Sequence, residues 1–72
     1  MNNKTTKILK LGRNIFARRR ELKYSQNQLA EILNISREHL AKIETAKRTV
    51  SLDLLIDIAD ALKTRVNKLI DF

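Results

Sequence analysis

The side chains that could do chemistry in this sequence are mostly basic, and their types favour binding over catalysis. Fifteen lysines and arginines stand against eight aspartates and glutamates, which gives a net charge of +7. The single histidine, His39, is accompanied by no cysteine and by no glycine-rich loop. The sequence therefore offers no nucleophile, metal site or phosphate cradle, and we expect no enzyme activity, no metal and no cofactor.

The positive charge is concentrated in the first two thirds of the chain. Residues 1–48 hold 12 basic and four acidic side chains, whereas residues 49–72 hold three basic and four acidic ones. Such an excess predicts a polyanionic partner, either nucleic acid or, less often, an acidic membrane surface. Three aromatic residues are too few for a base-stacking platform, so RNA is disfavoured.

The elements that position these charges are expected to be helices of one small domain. The chain has 72 residues, no proline and a single glycine, which argues against a fold rich in strands and turns. Residues 1–6 are polar and unpatterned and predict a flexible N-terminal arm, so the domain is expected to cover residues 7–72. No apolar run approaches the roughly 18 residues that span a bilayer, and we expect a cytoplasmic protein.

Three helix starts share one local pattern, in which a serine follows an apolar residue and precedes another apolar residue by four positions. The copies are Tyr24-Ser25 before Leu29, Ile35-Ser36 before Leu40, and Val50-Ser51 before Leu55. A serine at the N-cap accepts a hydrogen bond from a backbone N–H of the first turn, and the flanking apolar residues form a hydrophobic staple. Gln28 adds a capping box to the first copy.

Five helices result from these signals and from the spacing of apolar residues. The predicted ranges are Lys7 to Lys23, Gln26 to Leu33, Arg37 to Thr45, Leu52 to Leu62 and Val66 to Ile70. The predicted core comprises Leu11, Ile15, Leu22, Leu29, Ala30, Leu33, Ile35, Leu40, Ile43, Leu52, Leu55, Ala59, Leu62, Val66 and Leu69. Only three residues separate the second and third helices, which is typical of a helix-turn-helix that presents its second helix to the major groove of DNA.

The third helix carries the candidate base-reading residues. Leu40 and Ile43 commit one face of this helix to the core, so Arg37, Glu38 and Lys42 are expected to project outward. Arginine and lysine can donate to guanine O6 and N7, and a glutamate can accept from cytosine N4. Solvated charges with no role in recognition are the alternative.

The residues around this helix are candidates for contacts with DNA phosphates. Gln26 lies at the start of the second helix, where backbone N–H groups favour anions, and Lys47 and Arg48 follow the third helix. His39 could reach a phosphate when it is protonated, although a solvated histidine is the simpler interpretation.

The segment from Leu11 to Ile70 resembles the Xre or phage-repressor (Cro/repressor) family of DNA-binding domains. The motif of that family opens with a glutamine, here Gln26, followed by a small residue at Ala30 and a turn residue at Asn34. The apolar positions Leu40 and Ile43 complete the pattern. Further similarity lies in residues 43–48, 51–55 and 58–62.

This resemblance implies a compact five-helix, lambda-repressor-like domain and assigns further roles. The position of Ser36 contributes a DNA contact in the family, and the positions of Arg19 and Glu44 hold a structural ion pair. The chain departs from the family where glycines are usual, at Lys23, Asn34, Ala46 and Lys63. A positive φ is tolerable for asparagine but strained for the other three residues, so we expect rearranged turns there.

The function that these observations predict is that of a sequence-specific regulator of transcription, a repressor or autoregulator, which binds double-stranded DNA as a homodimer. An alternative is a protein-interaction module, such as an antitoxin or accessory subunit, with the same fold. Another is a membrane-surface helix over residues 7–22, which would leave Ile15 and Leu22 unburied. The C-terminal Leu69, Ile70 and Phe72 either complete the core or form a two-fold contact.

Overall fold

The computed structural model describes residues 3–72, and five helices account for most of them. The helices are α1 (Asn3–Glu21), α2 (Gln26–Leu33), α3 (Arg37–Glu44), α4 (Leu52–Ala61) and α5 (Val66–Leu69). No strand occurs within this range. The predicted all-α, five-helix architecture is confirmed, and the starts of α2 to α5 coincide with the predicted residues.

Helix α1 begins four residues earlier than the sequence indicated. Asn3 to Thr6 form its first turn, so the predicted helix start at Lys7 is wrong, and residues 3–6 are not separate from the helical body. Met1 and Asn2, which were also assigned to the flexible arm, lie outside the described residues. The difference has a physical reason, because residues 3–6 contain no proline or glycine and a helix anchored by packing further along the chain propagates at little cost.

The three predicted serine caps are present. Ser25 Oγ accepts from the backbone N–H of Gln28 at 3.0 Å, and Gln28 Oε1 accepts in return from the N–H of Ser25 at 2.8 Å. Ser36 and Ser51 accept from the third residue of α3 and α4 at 3.0 and 3.1 Å. Helices α2, α3 and α4 therefore each have a fixed starting residue.

The core gathers apolar side chains from all five helices. The buried residues are Ile15, Leu29, Ala30, Leu33, Leu40, Ile43, Leu55, Ile58, Ala59, Leu62 and Leu69. Leu52 was wrongly predicted to belong to this group: its spacing places it beside Ala59, at the edge of the stripe formed by Leu55, Ile58, Ala59 and Leu62, but it is the first residue of α4 and is 68% exposed. Ile58, which was not predicted, is fully buried in that stripe.

The four positions where the family usually has glycine all adopt the left-handed conformation. Lys23, Asn34, Ala46 and Lys63 have φ values of 61°, 58°, 61° and 56°. The expected rearrangement of these turns is therefore wrong. Each turn keeps its left-handed geometry because it closes with hydrogen bonds back to the preceding helix. Lysine and alanine adopt this geometry at the cost of steric strain between Cβ and the backbone.

The ends of α4 and α5 are fastened to α1 by two polar side chains. Asn14 donates to the carbonyl of Leu69 at 2.8 Å, and Arg18 Nε donates to the carbonyl of Leu62 at 2.8 Å. Leu69 completes the core, whereas Ile70 and Phe72 are 43% and 39% exposed. The interpretation that these residues complete the core therefore holds for Leu69 and not for Ile70 and Phe72.

The apolar stripe of α1 is used for packing within the domain. Ile15 is fully buried, and Leu22, the residue after the last of α1, packs half-buried against the core. This removes the membrane-surface interpretation of residues 7–22, which required an unburied stripe. None of the helices within residues 3–72 combines the length and the apolar character needed to traverse a bilayer.

Candidate nucleic-acid interface

Helices α2 and α3 form a helix-turn-helix whose turn is closed by backbone hydrogen bonds. The N–H of Asn34 donates to the carbonyl of Glu31 at 3.1 Å, and the N–H of Ile35 donates to that of Ala30 at 3.0 Å. On α3, Leu40 and Ile43 are 0% and 2% exposed. The inner face of α3 is therefore fixed, and the opposite face is directed to solvent.

The outward face of α3 displays the three charged residues that were predicted to read bases. Arg37, Glu38 and Lys42 are all exposed. Glu38 and Lys42, one helical turn apart, form an ion pair in which Lys42 Nζ lies 3.5 Å from Glu38 Oε1. The side chains remain 81% and 48% exposed, so both are accessible to a ligand that approaches this face.

Ser36 and His39 occupy the first turn of α3. Ser36 Oγ is engaged as an acceptor in the helix cap, which leaves its hydroxyl hydrogen free to donate outward. His39 is half-buried, in contrast to the expectation of an exposed side chain on a solvated helix. Both residues lie at the amino end of the helix that carries the exposed charges.

A buried ion pair holds the carboxyl end of α3 against α1. Arg19 Nε donates to Glu44 Oε2 at 2.7 Å and Arg19 Nη2 donates to Glu44 Oε1 at 3.1 Å, with side chains that are 6% and 2% exposed. Arg19 Nη1 also donates to the carbonyl of Tyr24 at 2.8 Å. The structure thus brings together the two residues that the resemblance paired.

Gln26 joins this cluster. Its amide nitrogen donates to Glu44 Oε1 at 3.0 Å, which links the start of α2 to the end of α3. The amide keeps its oxygen and its second N–H for other partners. Sequence spacing suggested only a phosphate contact for Gln26, because the bond to Glu44 depends on tertiary packing.

The loop after α3 places two exposed cations at the same end of that helix. The N–H of Lys47 donates to the carbonyl of Lys42 at 2.8 Å, and both Lys47 and Arg48 are exposed. Together with Gln26 they surround the carboxyl end of α3. Three of the four candidate phosphate residues are therefore grouped there, whereas His39 lies apart, on the first turn.

The crossing of α1 over the end of α3 depends on a residue that the sequence analysis did not assign. A Cβ at Gly12 would lie 2.6 Å from the carbonyl oxygen of Glu44 and 2.8 Å from that of Ile43, closer than real Cβ atoms approach. The sequence did contain a signal for this contact. Gly12 lies within a helical pattern, where glycine lowers helix stability by about 1 kcal/mol relative to alanine and usually has a packing reason.

The sequence is similar to proteins that carry a helix-turn-helix. A family model described as helix-turn-helix matches residues 15–69. The control protein C.SmaI of Serratia marcescens is 40% identical over 60 residues, which cover 83% of this chain and 71% of that protein. The immunity repressor protein of Bacillus phage phi105 is 42% identical over 60 residues, but the match covers only 42% of that repressor.

The fold is also similar to that of a solved regulator. The crystal structure of the restriction-modification controller protein C.AhdI from Aeromonas hydrophila matches with a TM-score of 0.85 and 26% sequence identity. The match covers 89% of this chain and 97% of the controller protein. The similarity of fold therefore extends over most of the chain and is not confined to the helix-turn-helix.

Proposed function

This chain belongs to the Xre-type helix-turn-helix family of DNA-binding transcriptional regulators, and we propose that it binds a specific duplex sequence and acts as a repressor or autoregulator. The activity is binding and not catalysis, and its site of action is the cytoplasm. Its relatives include a control protein and an immunity repressor, which supports a role in controlling gene expression.

The observation that carries this proposal is the exposed charged face of α3 on a rigidly seated helix. Ser36, Arg37, Glu38 and Lys42 are exposed on α3 or at its cap, while Leu40 fixes the opposite face in the core. We assign base contacts in the major groove to those four polar residues. A helix with this division between its faces can enter the groove without disturbing the packing of the domain.

Contacts with the phosphate backbone are assigned to the residues around α3. Lys47 and Arg48 are exposed cations beside its carboxyl end, and Gln26 lies there at the start of α2. His39 is assigned a phosphate at the other end of the helix. These contacts position the protein on the duplex and carry no sequence information.

We further propose that the protein acts as a homodimer on a two-fold related pair of half-sites. A single domain has few base contacts and binds one half-site weakly, whereas two copies place their reading helices about one turn, roughly 34 Å, apart. Exposed Ile70 and Phe72 near the chain end are available for the two-fold contact.

The test begins with selection of bound duplexes from a randomised library and continues with affinity measurements across a salt series. Lys42→Ala should weaken binding to the selected site by about 1–3 kcal/mol and relax the preference at one base pair. Arg48→Ala should weaken binding to all duplexes alike and reduce the salt slope by about one. If the two variants behave identically, the division between base and phosphate contacts is wrong.

A further inference from the structure

The ion pair between Glu38 and Lys42 lies in the middle of the proposed reading face. Their charged atoms are 3.5 Å apart and join successive turns of α3. The other acidic residue of this helix, Glu44, is buried and bonded to Arg19. Glu38 is therefore the one carboxylate that α3 presents to a ligand.

The net charge of +7 attracts this protein to DNA, which is a polyanion. A carboxylate on the face that approaches the duplex is repelled by the phosphates and lowers the affinity for any duplex. Such a charge contributes to specificity when only the correct base pair offers it a hydrogen-bond donor. In the major groove the group that satisfies a carboxylate best is an exocyclic amino group, and cytosine N4 is one.

The spacing of the ion pair matches the edge of one base pair. Cytosine N4 and guanine O6 are hydrogen-bonded to each other in a C·G pair, so this donor and acceptor lie about 3 Å apart. We propose that Glu38 and Lys42 act as one unit that reads a single C·G pair, a refinement that rests on the proposed function. Glu38 accepts from cytosine N4, and Lys42 donates to guanine O6 and N7.

The other base pairs fit this unit less well. A reversed G·C pair places guanine acceptors against the carboxylate and a cytosine amino group against the ammonium, so both contacts become repulsive. An A·T pair offers adenine N6 to Glu38. Its thymine presents one acceptor and a methyl group to Lys42, where guanine presents two acceptors.

The experiment measures, at every position of the selected half-site, the affinity for all four base pairs. The proteins are wild type, Glu38→Gln, Lys42→Met and the double variant. Wild type should prefer C·G at one position by about 5- to 150-fold. Both single variants should lose most of this preference at that same position, and the double variant should lose little more, because the two residues form one reading unit.

Matched controls separate this effect from a general change of charge. Glu31→Gln removes an exposed acidic side chain from α2, and Lys10→Met removes an exposed basic one from α1. Neither should change the preference at any base pair. Glu38→Asp keeps the charge but withdraws the carboxylate, and it should lose the C·G preference as Glu38→Gln does. Thermal unfolding should be unchanged in all variants, since every substituted side chain is exposed.

The outcomes that contradict the inference are distinct from failure of the proposed function. The inference is overturned if Glu38→Gln and Lys42→Met relax different base pairs, if their effects add in the double variant, or if the shared position prefers A·T. Retention of the C·G preference by Glu38→Asp also overturns it, because the charge alone would then suffice. A wild-type protein that enriches no sequence overturns the proposed function itself.

Discussion

Glu44 is the residue on which the position of α3 depends most directly. Its carboxylate is buried, yet it accepts hydrogen bonds from Arg19 Nε, Arg19 Nη2 and the amide of Gln26. A buried charge is tolerated when it is paired and further hydrogen-bonded, and in this cluster both carboxylate oxygens accept hydrogen bonds. One side chain thus fastens the end of α3 to α1 and to the start of α2.

We expect Arg19→Met to lower the free energy of unfolding by about 3–5 kcal/mol, because it leaves the carboxylate of Glu44 buried without its cation. Urea denaturation followed by circular dichroism measures the change. Arg20→Met is the matched control, since Arg20 is exposed in the same run of arginines and should change stability by about 0.5 kcal/mol or less. Equal losses of unfolding free energy in the two variants would show that the buried ion pair stabilises the protein no more than an exposed arginine does.

At the level of the element, the four left-handed residues decide how the helices are joined. Each lies at the end of a helix, and the N–H of the residue after Lys23, Asn34, Ala46 or Lys63 donates back across that turn to the helix before it. Asparagine adopts this conformation more readily than lysine or alanine because its side chain bonds locally to the backbone. The sharp connections are therefore made without the glycines that would form them with less strain.

Relief of this strain should stabilise the protein. Lys23→Gly is expected to raise the free energy of unfolding by about 1 kcal/mol, since glycine adopts a positive φ without a steric penalty. Chemical denaturation measures the change, and Lys63→Gly should behave similarly. Lys10→Gly, in the interior of α1, is the control and should lower stability by about 1 kcal/mol. A loss of stability at Lys23 as well would contradict the left-handed geometry there.

A second prediction about the helices concerns the crossing of α1 over α3. Alanine normally stabilises a helix interior relative to glycine by about 1 kcal/mol. Gly12→Ala should have the opposite sign and cost about 1–3 kcal/mol, because the new methyl group meets two backbone carbonyls of α3 that cannot move without tilting that helix. Denaturation midpoints measure the change, and Ala17→Gly, on the exposed face of α1, supplies the ordinary glycine cost. A Gly12→Ala protein of higher stability would contradict the close approach.

The parts of this fold that the sequence predicted are those determined locally. The serine caps at Ser25, Ser36 and Ser51 are set by residues within one turn of each other, and they fixed the starts of three helices correctly. The parts it did not predict depend on residues far apart in the chain. The bond from Gln26 to Glu44 and the contact of Gly12 with α3 are formed only after the helices have packed.

The run from Arg18 to Arg20 illustrates the same limit. No local pattern distinguishes these three adjacent arginines, but the helical turn directs them differently. Arg18 donates to the carbonyls of Leu62 and Lys63 at the end of α4, whereas Arg20 is exposed. Only the resemblance, and no spacing rule, singled out Arg19.

At the scale of the whole molecule, size limits how much DNA one copy can read. The described chain measures 33 × 23 × 21 Å between its Cα extremes, and α3, the proposed reading helix, has eight residues. Successive major grooves on one face of a duplex are separated by about 34 Å, so a single domain reaches one groove. This limit supports the proposal that a second copy binds on the same face of the duplex.

The spacing of half-sites should consequently control affinity. We expect a duplex whose half-site centres are one turn apart, about 10–10.5 base pairs, to bind two copies cooperatively. Insertion of five base pairs rotates one half-site to the opposite face, so affinity should fall to that of a duplex with a single half-site. Electrophoretic mobility shifts over a protein titration measure both. A control duplex with five base pairs added outside the half-sites has the same length and charge and should bind as the parent does. Unchanged affinity after the internal insertion would mean that two copies bind independently, which would contradict the proposed homodimer.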